Sequence, residues 1–174
     1  MSSFNFITYM RDCAVRLKSI GHTEQSPKFF RISGLMQLDE VLTNLSEMSF
    51  PALLVHNNTD GTIADRGVSD NYVDSPYYVF YLVGHVEHGN HQQQEEVKAR
   101  CKLIGMKILA RMLRDKYRGN HGLTFLQFNN IPYQSIGPVG DNCYGVMFSF
   151  SVPDSANLVY SENDWLSESQ SPSV

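Results

Sequence analysis

EEVKARCKLIGMKILARMLRDKY, residues 95–117, is the stretch that decides the fold. Val97, Cys101, Ile104, Ile108 and Met112 recur at spacings of four and three, so they line one stripe of a helix, and Leu103, Met106, Leu109 and Leu113 read as widening that apolar arc. Glu95 and Glu96 fall in the first turn, Arg114, Lys116 and Arg118 in the last, and Gly119 comes just beyond, an order that complements the helix dipole at both ends. The stretch reads as a core spine running from Glu95 to Tyr117, with no site chemistry of its own.

Strong strands flank it. YYVFYLVGHV, residues 77–86, is aromatic and β-branched on both faces, as a central or doubly covered strand must be. CYGVMFSFSV, residues 143–152, alternates: Tyr144, Val146, Phe148, Phe150 and Val152 point one way, Gly145, Ser149 and Ser151 the other, which predicts one core face and one open face. LTFLQF, residues 123–128, reads as a further strand.

Toward the N-terminus, Phe6, Met10, Cys13, Leu17 and Ile20 form another helical stripe, with Ser3 available to cap it and Gly21 to end it. KFFRI (28–32) reads as a short strand. Leu35, Leu38, Leu42 and Leu45 predict a second helix ending near Met48, and ALLVH after Pro51 is a buried strand by its length and flanks. Two turn-rich stretches, 57–74 and 131–142, read as long exposed loops, where contacts with partners concentrate. The fold class that follows is α+β: a mixed, mainly antiparallel sheet with two or three helices packed on it, one of them long and central. Residues 1–166 read as a single domain and 167–174 (SESQSPSV) as a disordered tail.

Composition narrows the function. The chain has 174 residues, 42% of them hydrophobic, enough for one core without metals or disulfides. With a net charge of -4 and Lys and Arg spread along the chain, specific nucleic-acid binding is not expected. No segment approaches the ~20 apolar residues that cross a bilayer, and the N-terminus lacks a leader pattern, so a cytosolic site of synthesis is expected.

The residues that could carry catalytic or metal chemistry have plainer readings. Cys13, Cys101 and Cys143 are far apart and sit in apolar contexts, so they read as reduced structural thiols. There is no GxSxG elbow and no phosphate-cradling glycine loop; Gly137 and Gly140 read as shaping a turn. His85, His88 and His91, with Glu87, have the spacing of a metal site on a helix, but a strand end and Gly89-Asn90 would send the rings apart. Asp60, Asp65, Asp70 and Asp74 lack calcium-loop spacing. No catalytic residue, resident metal or cofactor is expected, and the chain is not read as an enzyme.

The close of the chain carries a resemblance. GVMFSFSVPDSANLVYSENDW, with Gly145, Phe148, Phe150, Tyr160 and Trp165, follows a Pro/Gly-rich loop, and this together with the element order resembles the small neck and tail-completion proteins of tailed bacteriophages, tail terminators among them. The resemblance implies a structural virion protein, made in the host cytoplasm, that forms a homo-oligomeric ring at the tail or head-tail junction and contacts other tail or neck proteins. A ring needs heterologous contacts, two different patches per subunit. Asp60, Asp65, Tyr72, Tyr133, Tyr160 and Trp165, on the loops and the terminal segment, are the interface candidates. Two other readings stay open: a small metal-dependent protein using His85, His88 and His91, and a stand-alone cytosolic binding module.

Overall fold

A computed structural model of the chain describes residues 4–33, 35–43, 48–57, 60–67 and 72–165. In chain order the elements are α1 (Phe6–Arg16), β1 (Phe29–Ile32), α2 (Leu35–Thr43), β2 (Ala52–His56), β3 (Gly61–Asp65), β4 (Tyr72–His85), α3 (His91–Tyr117), β5 (Tyr133–Val139), β6 (Cys143–Ser151) and β7 (Asp154–Ser155). The main sheet runs β1-β2-β4-β6-β5, parallel between β1 and β2 and antiparallel elsewhere, while β3 and β7 pair with β4 off this path. This is the expected α+β architecture with one long helix.

Strand alternation sorts the core into two layers. Leu53 and Val55 of β2, Phe80 and Leu82 of β4, and Val146, Phe148 and Phe150 of β6 face α1 and α3. Ala52, Leu54, Tyr81, Val83 and Cys143 face the opposite way, where Leu38 and Leu42 of α2 cover them. The five consecutive buried residues Phe80 to Gly84 follow from β4 lying in the middle of the sheet. Each fully buried Leu, Phe or Met here contributes about 1.5–3 kcal/mol.

The spine begins a turn earlier than its apolar pattern suggests. Asn90 caps α3 by accepting from the Gln93 amide at 3.0 Å, so Glu95 and Glu96 lie beyond the first turn. Val97, Cys101, Ile104, Ile108 and Met112 are buried as expected. Leu103 and Met106 are not: they are 60% and 52% exposed and face away from the sheet. Gly105 sets how closely α3 approaches β6, since a Cβ there would lie 2.3 Å from the Phe148 ring. Gly145 is equally confined, with the Leu82 carbonyl filling the space of its missing side chain.

Several boundaries differ from the sequence reading. Asn5, accepting from the Thr8 amide at 3.0 Å, caps α1; Ser3 lies outside the described residues, as do Leu45, Asp70 and the tail from residue 166. Helix α1 ends at Arg16, and Leu17 and Ile20 belong to the turn that closes at Gly21. LTFLQF is a 3-10 turn over Leu123–Phe125 and not a strand, with Leu123 and Leu126 anchoring it in the core. The two long loops each contain a strand. Residues Gly61–Asp65 form β3, all five exposed, and Tyr133–Val139 form β5, an edge strand with only Ile136 and Val139 half-buried. Both are held by backbone ladders and not by a buried face, so they carry no alternation to read. The β5–β6 turn is also pinned to the body: the Gly140 amide donates to Asp39 Oδ1 at 2.8 Å and the Asp141 amide to the Leu42 carbonyl at 3.1 Å. Gly140, at φ +55°, makes that turn without a Cβ that would strike Leu42.

Candidate assembly surface

Strand β4 is 14 residues long, more than the main sheet uses. Tyr77 to His85 pair with β6 in the main sheet, while Tyr72 to Pro76 pair with β3, and Val73 and Asp74 with β7. The result is a three-stranded arm continuing from the central strand. Asp60 stands at its foot, where its carbonyl accepts from the Tyr77 amide at 2.7 Å. Asp65 and Tyr72 oppose each other at the last described pair of the arm, and Asp65 Oδ1 accepts from the Gly67 amide at 2.7 Å. Ile63, 60% exposed, is the large apolar side chain that β3 presents to water. The outer edge of β3 pairs with no strand among the described residues, which leaves a line of backbone donors and acceptors open.

From β7 the chain runs out as an extended segment, residues 156–165, anchored by the Ala156 amide on the Tyr72 carbonyl at 2.9 Å. It carries Leu158, Val159, Tyr160 and Trp165, between 52% and 83% exposed. Tyr160 and Trp165 stack on each other at 6.0 Å across a 3-10 turn, Glu162–Asp164. Apolar groups grouped this way mark an interaction site when they have no core of their own. Tyr133 stands apart, at the β5 edge, where its hydroxyl accepts from Lys102 Nζ at 2.7 Å and its ring lies under the same ammonium. Of the six interface candidates, the fold therefore gathers Asp60, Asp65 and Tyr72 on the arm, stacks Tyr160 on Trp165, and leaves Tyr133 on another edge. Ile63, Leu158 and Val159 were missed because single apolar residues in polar stretches give no periodic signal.

The histidines of the 85–91 run lie apart from one another. His85 packs beside Phe50, His88 Nε2 lies 3.6 Å from Asp141 Oδ1, and His91 is exposed at the start of α3. Among the described residues no group of three or more His, Cys, Asp and Glu is placed to hold a metal ion. Burial pushes the Cys13 thiol up to about 11 and those of Cys101 and Cys143 up to about 12, far from the range of an activated nucleophile. No family model and no curated protein matches the chain.

One buried polar cluster joins α1 to α3. The Tyr9 hydroxyl donates to Asp115 Oδ2 at 2.8 Å, Arg114 Nη2 donates to Asp115 Oδ1 at 3.2 Å, and Arg111 bonds Asp12 while lying over the Tyr9 ring. Burial opposes the Asp115 charge, but the Tyr9 and Arg114 hydrogen bonds and the nearby guanidinium groups outweigh it, so its carboxyl titrates below the usual range. These contacts tie α1 to α3; Arg111 Nε, 3.5 Å from Asp115 Oδ2, adds an ion pair but no hydrogen bond. A concavity of about 1030 Å³ lies between the arm and residues 124–129 and has neither His nor Cys in its lining.

Proposed function

We propose that this chain is a structural virion protein of a tailed bacteriophage, a ring-forming subunit at the tail or head-tail junction of the tail-completion or tail-terminator kind. The observation that carries this reading is the segment 156–165, which leaves the body with Leu158, Val159, Tyr160 and Trp165 in water. A subunit that places four large apolar side chains on an extended segment has surface to bury against a neighbour, and burying each is worth about 1.5–3 kcal/mol before ordering costs. The arm adds a second, different surface with an open strand edge. Two unlike patches per subunit are what a closed ring requires. The resemblance in the closing stretch, from Gly145 to Trp165, supplies the setting, with other tail or neck proteins as the neighbours above and below.

Light scattering on the eluting protein over a range of concentrations tests this. The reading expects a discrete oligomer, with mass an integral multiple of 19.7 kDa. A single-subunit mass at every concentration would sink it and favour a stand-alone binding module.

A further inference from the structure

Turning α3 around its axis shows a second apolar seam. Ala99, Leu103, Met106, Ala110, Leu113 and Tyr117 follow at spacings of four, three, four, three and four, which on a helix of 3.6 residues per turn puts them on the side opposite Val97, Ile104 and Ile108. All but the half-buried Leu113 are exposed, Leu103 at 60% and Tyr117 at 80%. The alanines keep the seam shallow, so a partner chain can lie close to the backbone. The borders are basic: Arg100, Lys107 and Arg114 on one side, Lys98, Lys102 and Lys116 on the other. Although the chain is net negative and its cations look dispersed in sequence, seven of its 14 Lys and Arg residues lie within α3. Arg100 and Lys107 make no ion pair among the described residues.

This seam disfavours its own image. Two copies of α3 laid face to face would bring Arg100, Lys102 and Lys107 of each together over the central turns, with acidic Glu95 and Glu96 only at the N-terminal end, and like charges across a helix pair are repulsive. A phosphate backbone would meet the cations and leave Leu103 and Met106 in water. The complement is an apolar segment with acidic residues, and the chain itself provides one: Leu158, Val159, Tyr160 and Trp165, interspersed with Glu162 and Asp164, all exposed.

We propose that the 156–165 segment of one subunit docks along the outer face of α3 of the next, apolar side chains on the Leu103–Met106 seam and Glu162 and Asp164 against the Arg100–Lys107 border. This rests on the ring reading and gives it a contact. The two surfaces are different, so the contact is heterologous and propagates from subunit to subunit until it closes. Tyr133, bound to Lys102, borders the same seam.

Mass measurement on four variants and on a mixture of the first two tests the contact. Leu103→Glu with Met106→Glu removes the seam, and Tyr160→Ala with Trp165→Ala removes the segment; all four positions are exposed, and circular dichroism verifies that each variant folds. Each variant alone is expected to lose the assembled species. Mixed one to one, they are expected to give a heterodimer, because one intact seam and one intact segment remain. Arg100→Glu with Lys107→Glu is expected to disassemble the protein, and adding Glu162→Lys with Asp164→Lys to restore it.

Assembly that survives either double substitution overturns the proposal while leaving the ring reading intact. Loss in the seam variant alone overturns it too, pointing to seam-to-seam pairing. A monomeric wild type overturns both. So does seam-dependent binding of a monomer to vesicles of anionic phospholipid, which would make the α3 face a membrane surface.

Discussion

Replacing Gly105 with alanine sets two effects against each other at one atom. In an unconstrained helix interior the change stabilises by about 1 kcal/mol, because alanine loses less backbone freedom. At position 105 the new Cβ would lie 2.3 Å from Cε2 and Cζ of Phe148, where a relaxed carbon contact needs about 3.5–4.0 Å. The Phe148 ring has little room to retreat: it is 1% exposed, stacked on Phe80 at 5.0 Å and 9°, with Tyr133 at 5.9 Å. Either the ring or the helix must shift by roughly 1 Å, and overpacking on that scale costs about 2–3 kcal/mol. The difference is a net loss of about 1–2 kcal/mol, or about 3–6 °C in melting temperature for a chain of this size. Urea unfolding followed by far-ultraviolet circular dichroism measures it. Phe148→Leu in the Gly105→Ala background should cost less than Phe148→Leu alone, since the smaller side chain vacates the clash. An increase in stability for Gly105→Ala would refute the packing argument, because the intrinsic gain would then have met no obstacle.

Other consequences follow from groups inside the fold. Buried and raised to about 11 and 12, the three thiols should resist a thiol-reactive dye at pH 8 in the native state and react together in denaturant; rapid native labelling of Cys101 would show that the α3 core face is open. The carboxyl of Asp115 titrates below its unfolded value, so its stabilisation is complete above about pH 4 and is lost as pH falls through the lowered folded value. Asp115→Asn should therefore flatten the acid limb of the stability profile and cost about 1–3 kcal/mol at neutral pH through the weakened Tyr9 and Arg114 bonds; an unchanged acid slope would remove Asp115 from the account. Asp39→Ala frees the Gly140 amide at the β5–β6 turn and should cost about 0.5–1.5 kcal/mol at this exposed bond, read by the same urea curve.

What could be read in the sequence was whatever buries a face. The core stripe of α3, the doubly covered β4 and the alternating β6 all write their burial into periodic apolar residues, and the α+β class followed from their order. Strand β3 is exposed at every position and β5 at most, so their residues look like loop; only the backbone ladder with a neighbour, which no local pattern encodes, makes them strands. Leu103 and Met106 misled for the opposite reason. They read as widening the apolar arc but fall opposite it on the helical wheel; the sheet covers only one side of α3, and the basic residues at 100, 102 and 107 are the sign that a second, solvent-facing seam lies there. Asp60, Asp65 and Tyr72 sit in a stretch that reads as loop, and the arm that carries them exists only because β3 pairs with β4.

Electron microscopy of the concentrated, purified chain tests the central claim most directly. Class averages should show closed rings of one rotational symmetry, with a central opening and subunits related head to tail. Fields of isolated monomers, or particles limited to two-fold pairs, would contradict the ring assignment and with it the virion role.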